Sequence, residues 1–324
     1  MGSDYQNQIP VIDLSSSSLD KVRGSQEWDI ASKKVKEACE DYGCFEVVYD
    51  KISKQVRAEL FSLIRQLFML PVETRKKNYN PKPYHGYAGQ YPVVPIYEGF
   101  GIEDVSSYNS LEGFAEQLSW PHDHDQFCKT FSSMMKPLDE LHGTIGKLIL
   151  DSYGLGEKRN SIMPCKTLLR MMKYRAPQPG ENSTGLFAHT DKPFCTLLCE
   201  DGVAALEVET KHGHWIQLSP SPNSFIFLVG DPLMAWSNGR LHAVKHRVIM
   251  NGDEDRYSIG AFLVPIEGTV IKPQKELIDE CHPQILKEFD FMEYLTFSSS
   301  AEAKAMDSAK QVFAFAGNQI REKI

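Results

Sequence analysis

The stretch FAHTDKPFCTLLC (187–199) sets one imidazole, His189, two residues before one carboxylate, Asp191. Read as a single strand, it turns alternate side chains to the same face, so both groups point the same way. They then serve as two adjacent ligands of one metal, and a third is needed. His246 in HAVKHRV (242–248), an apolar run of the same region, is the best supplier. Two imidazoles and one carboxylate form the facial set that suits non-haem Fe(II) and leaves coordination positions open. His242, which shares strand parity with His246, competes for the role, as do His212 and His214 in the turn-like KHGH.

A second pair follows in RYSIGAF. Arg256 and Ser258 are two residues apart on a strand-like run, so they share a face. A guanidinium grips a carboxylate fork with two parallel bonds, and a hydroxyl adds a third. An arginine turned into a β core needs an anion, since an unpaired buried charge is costly. No acidic residue stands in an obvious partner position, so a carboxylate ligand is the expected partner. Each residue alone has a blander explanation: a surface turn for His-x-Asp, a hydrogen-bonded core histidine for His246, a surface ion pair for Arg256. Their order within one β-rich region favours a site.

The elements that must position these groups are legible in outline. IPVIDL (9–14) is a short strand, 27–39 is helical, and GCFEVVYD (43–50) is a buried strand. Val56, Leu60, Leu63, Ile64, Leu67 and Leu70 keep a helical period until Pro71, and Arg75-Lys76-Lys77 is read as capping a helix end. Residues 80–105, rich in Gly, Pro and Tyr, predict a loop or short hairpin and a candidate substrate lid. Phe127 through Leu148 predicts a second long helix ending near Gly154. Between Leu168 and Pro265 short β runs alternate with turns, as in a sandwich or barrel. A helical tail closes the chain, with Ala303, Met306, Val312 and Phe315 as packing positions. We expect one compact unit over 1–324: a mostly helical region (1–160), a β core (161–270) and a C-terminal helical segment (271–324).

Bulk properties exclude several classes of partner. The chain has 324 residues, 42% of them apolar, enough for a large core. Its net charge of -8 and pI near 5.7 give no pull toward nucleic acid or an anionic membrane. There is no apolar run long enough to span a bilayer, and the opening MGSDYQNQIP lacks a signal-peptide core and is read as unmodified. Seven cysteines without a framework point to reduced thiols and a cytoplasmic location; Cys195 and Cys199 fall on one side of a strand.

HTD (189–191), SNGRLHAVKHRV (237–248) and RYS (256–258) resemble the signature of plant 2-oxoglutarate- and Fe(II)-dependent dioxygenases. IPVIDLS, DYGCFEVVYDKI and GDPLMAWSNG extend the similarity over nearly the whole chain. HTDK, LEVET, NSFIFLVGD, ELIDECHP and FAFAG are most similar to the AOP-type branch, named for glucosinolate side-chain modification. That branch also includes enzymes acting on other specialised metabolites, steroidal alkaloids among them. The resemblance implies an α+β fold with a mainly β core: a double-stranded β-helix (jelly roll, cupin-like) with an N-terminal helical layer and a C-terminal helix. It implies His189, Asp191 and His246 as iron ligands, and Arg256 and Ser258 as the grip on the distal carboxylate of 2-oxoglutarate. Tyr174 matches a tyrosine that bonds the co-substrate, although Met172 replaces the family's asparagine and Lys173-Tyr174-Arg175 its Tyr-Tyr-Pro. Tyr49-Asp50 stands where relatives carry Asn-His. Family geometry also suggests Met172, Lys192, Phe262 and Val264 as substrate contacts, with Lys192 either meeting an acidic or glycosylated substrate or pointing to solvent.

The implied activity is oxidation, chiefly hydroxylation, of a small specialised metabolite, with O2 consumed and 2-oxoglutarate converted to succinate and CO2. Ascorbate is the expected reductant and a monomer the expected state. One alternative is a binding protein that keeps the fold without turnover; the intact triad and Arg/Ser pair speak against it. Zinc-assisted hydrolysis leaves Arg256 and Ser258 unexplained and lacks a general base.

Overall fold

A computed structural model describes residues 8–15, 23–157 and 164–318. The expected boundary at 160/161 and the N-terminal start fall outside them. The strands of the two main sheets are β1 (Val11–Asp13), β2 (Cys44–Val48), β3 (Ala88–Tyr91), β4 (Val94–Ile102), β5 (Cys165–Tyr174), β6 (Thr184–His189), β7 (Cys195–Glu200), β8 (Leu206–Glu209), β9 (Trp215–Gln217), β10 (Ser224–Val229), β11 (His246–Ile249) and β12 (Arg256–Pro265). Eight pair in the order β1-β2-β10-β7-β12-β5-β4-β3, and four in the order β6-β11-β8-β9. Apart from the parallel β1–β2 pair, these ladders are antiparallel. Two antiparallel sheets joined by crossing connections are the jelly-roll arrangement.

The strand sequences follow from what covers them. One core cluster joins Met172, Tyr174, Leu198, Ile226 and Leu228 of the larger sheet to Leu206, Val208, Ile216 and Val248 of the smaller. A second cluster joins the other face of the larger sheet, Leu169, Met171, Leu197, Phe227 and Ile259 among it, to the helices. Strands β7 (CTLLCE) and β10 (SFIFLV) are covered on both faces and buried at every position, hence their lack of polar alternation.

The helical layer is α1 (Gln26–Asp41), α2 (Lys54–Met69), α3 (Tyr108–Gln117) and α4 (His124–Ser152). The Ser25 and Ser53 hydroxyls accept from backbone N–H groups three residues on, and the Asp123 carboxylate from two and three on, satisfying donors that a helix start leaves unpaired. α4 buries Phe127, Phe131, Met134, Leu138, Leu141, Ile145 and Leu148 at helical spacing, and Gly154 follows it at φ 69°. Later come α5 (Asp231–Trp236), α6 (Phe291–Ser298) and α7 (Gln311–Ala316). Ala303 and Val312 are buried and Met306 and Phe315 partly so, in keeping with the predicted packing positions.

Residues 88–91 and 94–102 pair as β3 and β4 in an antiparallel hairpin of the larger sheet, the hairpin expected in this segment, with Phe100 fully buried. The turn before it is pinned from below: the Arg170 guanidinium donates to the Tyr84 and Gly86 carbonyls and to the Tyr97 hydroxyl. Arg75 ends a short helix after Pro71, with Lys76 as its C-cap, as the basic run predicts, and it pairs with Glu98.

Candidate metal centre and co-substrate clamp

His189, Asp191 and His246 converge, with one ligand atom from each lying within 4.8 Å of the others. The means differs from the single strand read in the sequence. His189 ends β6 in the smaller sheet, Asp191 lies in the connection just past it, and Cys195 starts β7 in the larger sheet. The peptide therefore crosses between sheets, and its two ligands meet by a turn instead of strand alternation. His246 is the first residue of β11 and pairs in register with His189 on β6. That cross-strand pairing holds the two rings 4.2 Å apart between centroids.

Each ligand is oriented by a neighbour. Nδ1 of His189 lies 2.8 Å from the Phe187 carbonyl, and Nδ1 of His246 lies 3.2 Å from the Val244 carbonyl. A carbonyl only accepts, so each Nδ1 carries the proton and each Nε2 presents a lone pair. Those Nε2 atoms stand 3.8 Å and 3.7 Å from Asp191 Oδ1. The other carboxylate oxygen, Oδ2, accepts from the Thr196 hydroxyl at 2.5 Å. Burial, assisted by His246, lowers the His189 pKa to about 4, so the ring is neutral as a metal ligand must be. Two imidazole Nε2 atoms and one carboxylate oxygen, supported from behind, fit a divalent metal that retains open positions.

Arg256 and Ser258 share the inward face of β12, with the guanidinium Nη1 donating to Ser258 Oγ at 3.1 Å. The expectation that Arg256 lacks an acidic partner is overturned. Its Nε and Nη2 donate to Glu200 Oε2 at 3.0 Å and 2.6 Å, and Nε also reaches the Val203 carbonyl. Glu200 ends β7 directly opposite Ser258 on β12. Burial raises the Glu200 carboxyl above its ordinary range, and Arg256 opposes that rise. Tyr174 is also buried here, its ring 5.2 Å from the guanidinium and its hydroxyl 3.7 Å from Met172 Sδ. Burial holds that phenol protonated.

The remaining candidates are dispersed. Met172 lies in the inter-sheet cluster beside Tyr174. Val264 belongs to the cluster that includes the helices, and Phe262 packs against it. Lys192 does not point to solvent. Its ammonium is buried, 2.7 Å from Asp231 Oδ2 and bonded to Thr190 and to Ser308 Oγ and carbonyl. Tyr294 of α6 donates to the same Asp231 oxygen at 2.5 Å. This network ties the peptide between the two ligands to the C-terminal segment. His242 is half-buried outside the triad, and His212 and His214 are exposed near the β8–β9 turn. All seven cysteines are free, and burial raises the thiol pKa of Cys199 to about 11.

Thr196, Glu200 and Asp231 were missed by sequence reasoning. The first two share a parity on β7, a usable signal once that strand is known to face the site. Nothing local marks Asp231, whose partners come from distant segments.

The chain is similar to known proteins over most of its length. A profile described as "2OG-Fe(II) oxygenase superfamily" matches residues 165–265, and one described as "non-haem dioxygenase in morphine synthesis N-terminal" matches 9–102. The Arabidopsis thaliana protein described as "Probable 2-oxoglutarate-dependent dioxygenase AOP1.2" is 38% identical over 95% of this chain and 96% of its own. The structure of the rice dioxygenase for auxin oxidation superposes with a TM-score of 0.80 at 30% identity, covering 96% of this chain and 100% of that one. Its Arabidopsis counterpart, solved with 2-oxoglutarate, gives 0.76 at 31%, covering 85% and 100%.

Proposed function

Because the chain belongs to the plant 2-oxoglutarate/Fe(II)-dependent dioxygenases, in the AOP-type branch, we propose roles for its site residues and an outcome for its reaction. It is an Fe(II)- and 2-oxoglutarate-dependent oxygenase acting on a small-molecule metabolite. His189 and His246, through Nε2, and Asp191, through Oδ1, hold the iron. Arg256 and Ser258 grip the distal carboxylate of 2-oxoglutarate, and Tyr174 bounds that pocket. The observation that carries this reading is the convergence of three ligand atoms with both histidine tautomers fixed from behind.

Bound iron with 2-oxoglutarate and O2 supplies an oxidising equivalent and releases succinate and CO2. The protein's share is positioning and shielding. Thr196 engages Asp191 Oδ2 and leaves Oδ1 for the metal. The apolar cluster of Met172, Leu198, Leu206 and Val248 limits water around the clamp, where charge–dipole contacts are strengthened. The outcome is hydroxylation of a partly apolar organic molecule, which suits an interior lined by methionine, leucine and tyrosine. The rice and Arabidopsis relatives named for auxin oxidation are consistent with a substrate of that size. Free cysteines throughout suit a cytoplasmic enzyme, and ascorbate would keep its iron reduced; we take it to act as a monomer.

The test is Arg256→Ala, measured by metal binding and by 2-oxoglutarate binding on the metal-loaded protein. The expected result is co-substrate affinity lowered at least about tenfold with metal affinity retained. Unchanged co-substrate affinity refutes the clamp, and absence of any metal-dependent 2-oxoglutarate binding in the unaltered protein refutes the function.

A further inference from the structure

The clamp arginine carries a feature that its proposed role does not require. Arg256 and Glu200 are among the most deeply buried charges of the interior, with side chains 1% and 5% exposed. Both Nε and Nη2 donate to one oxygen of Glu200, so the side-on edge of the guanidinium is occupied before any ligand arrives. Nη1 points the other way, to Ser258 Oγ. The register fixes this division: Glu200 lies across from Ser258, while Arg256 lies across from Tyr174 on the opposite neighbour. The guanidinium is thus trapped between β7 and β5, with one edge given to a carboxylate of the protein and the other left for a carboxylate ligand.

Two effects follow. Glu200 removes the rotational freedom of Arg256 in advance, which lowers the ordering cost of binding. It also cancels charge that the ligand would otherwise meet, and like charges repel strongly in a poorly solvated interior. The Arg57 guanidinium donates to the Glu200 and Ser224 carbonyls and acts on the carboxylate by charge alone, so Arg256 is the cation hydrogen-bonded to it. We propose that Glu200 is the positioning residue of the co-substrate clamp and a brake on its affinity. Binding of 2-oxoglutarate is weakened because its distal carboxylate meets a guanidinium whose charge Glu200 already offsets from the other edge. The proposal rests on the assignment of Arg256 as the clamp.

Glu200→Gln separates charge from shape, because the amide oxygen still accepts from Arg256 and the side chain keeps its volume. The measurement is calorimetric titration of the oxygen-free, Fe(II)-loaded full chain with 2-oxoglutarate. A parallel titration uses 2-oxobutyrate, which has the 2-oxo acid end but no distal carboxylate. The expected result is 2-oxoglutarate bound roughly five- to tenfold more tightly by the variant, with 2-oxobutyrate unaffected. In turnover, the KM for 2-oxoglutarate falls by a similar factor. Equal or weaker 2-oxoglutarate binding by a variant with wild-type melting behaviour overturns the brake. So does an equal gain for both ligands, since the effect would not then act through the distal carboxylate. If the wild-type protein binds neither ligand, the proposed function fails and the brake with it; if only the variant comparison fails, the function stands.

Discussion

Lys192→Met isolates the buried pair beside the metal centre. In the folded protein the Lys192 ammonium lies 2.7 Å from Asp231 Oδ2, with the two side chains 10% and 1% exposed. The methionine keeps the length and apolar stem of lysine and removes the charge. Among the described residues, Asp231 then retains the Thr190 and Tyr294 hydroxyls at Oδ2, and its Oδ1 has no hydrogen-bond partner even now. Breaking one side of a buried ion pair costs about 3–5 kcal/mol because the other charge stays desolvated. The hydroxyl donors to Asp231 place the expected loss at the lower end, about 3 kcal/mol. Urea unfolding followed by fluorescence gives the number. Lys192→Met/Asp231→Asn, which removes the stranded charge, should recover part of the loss in a double-mutant cycle. A loss below about 1 kcal/mol, or a raised substrate KM with stability unchanged, would refute the assignment and return Lys192 to the substrate side.

Thr196→Val removes the hydroxyl that holds Asp191 Oδ2 at 2.5 Å without changing the shape of the side chain. Fe(II) or Co(II) affinity should drop about 10–100-fold in a metal titration, and an unchanged affinity would show that Asp191 needs no such support. His142 on α4 is buried with neither ring nitrogen partnered, and burial lowers its pKa from 6.5 to about 4. The unfolded chain therefore takes up this proton first as pH falls. Stability present above about pH 6.5 should decline toward pH 4, by about 3 kcal/mol from this group. His142→Leu should flatten that part of the profile in chelator-treated protein; an unaltered slope would mean that the ring finds a proton acceptor.

The sequence by itself determined the chemistry of the site more fully than its construction. Residue types and order favoured His189, Asp191 and His246 over His242, His212 and His214, and the family resemblance supplied their role as iron ligands. Strand parity put Arg256 and Ser258 on one face, since alternation is local backbone geometry. Helical spacing likewise placed α1, α2 and α4 to within a few residues. Local pattern failed where partners come from far along the chain. FAHTDKPFCTLLC reads as one strand because apolar content hides the turn, and only sheet pairing shows that it leaves β6 for β7. Arg256 seemed to lack an acid because Glu200 meets it through the β7–β12 register. Lys192 seemed to face the cavity or the solvent because Asp231, Tyr294 and Ser308 are distant in sequence and adjacent only in the fold. Ligand identity is a property of side chains. Where a buried charge finds its counter-charge is a property of packing, and only the tertiary structure decides it.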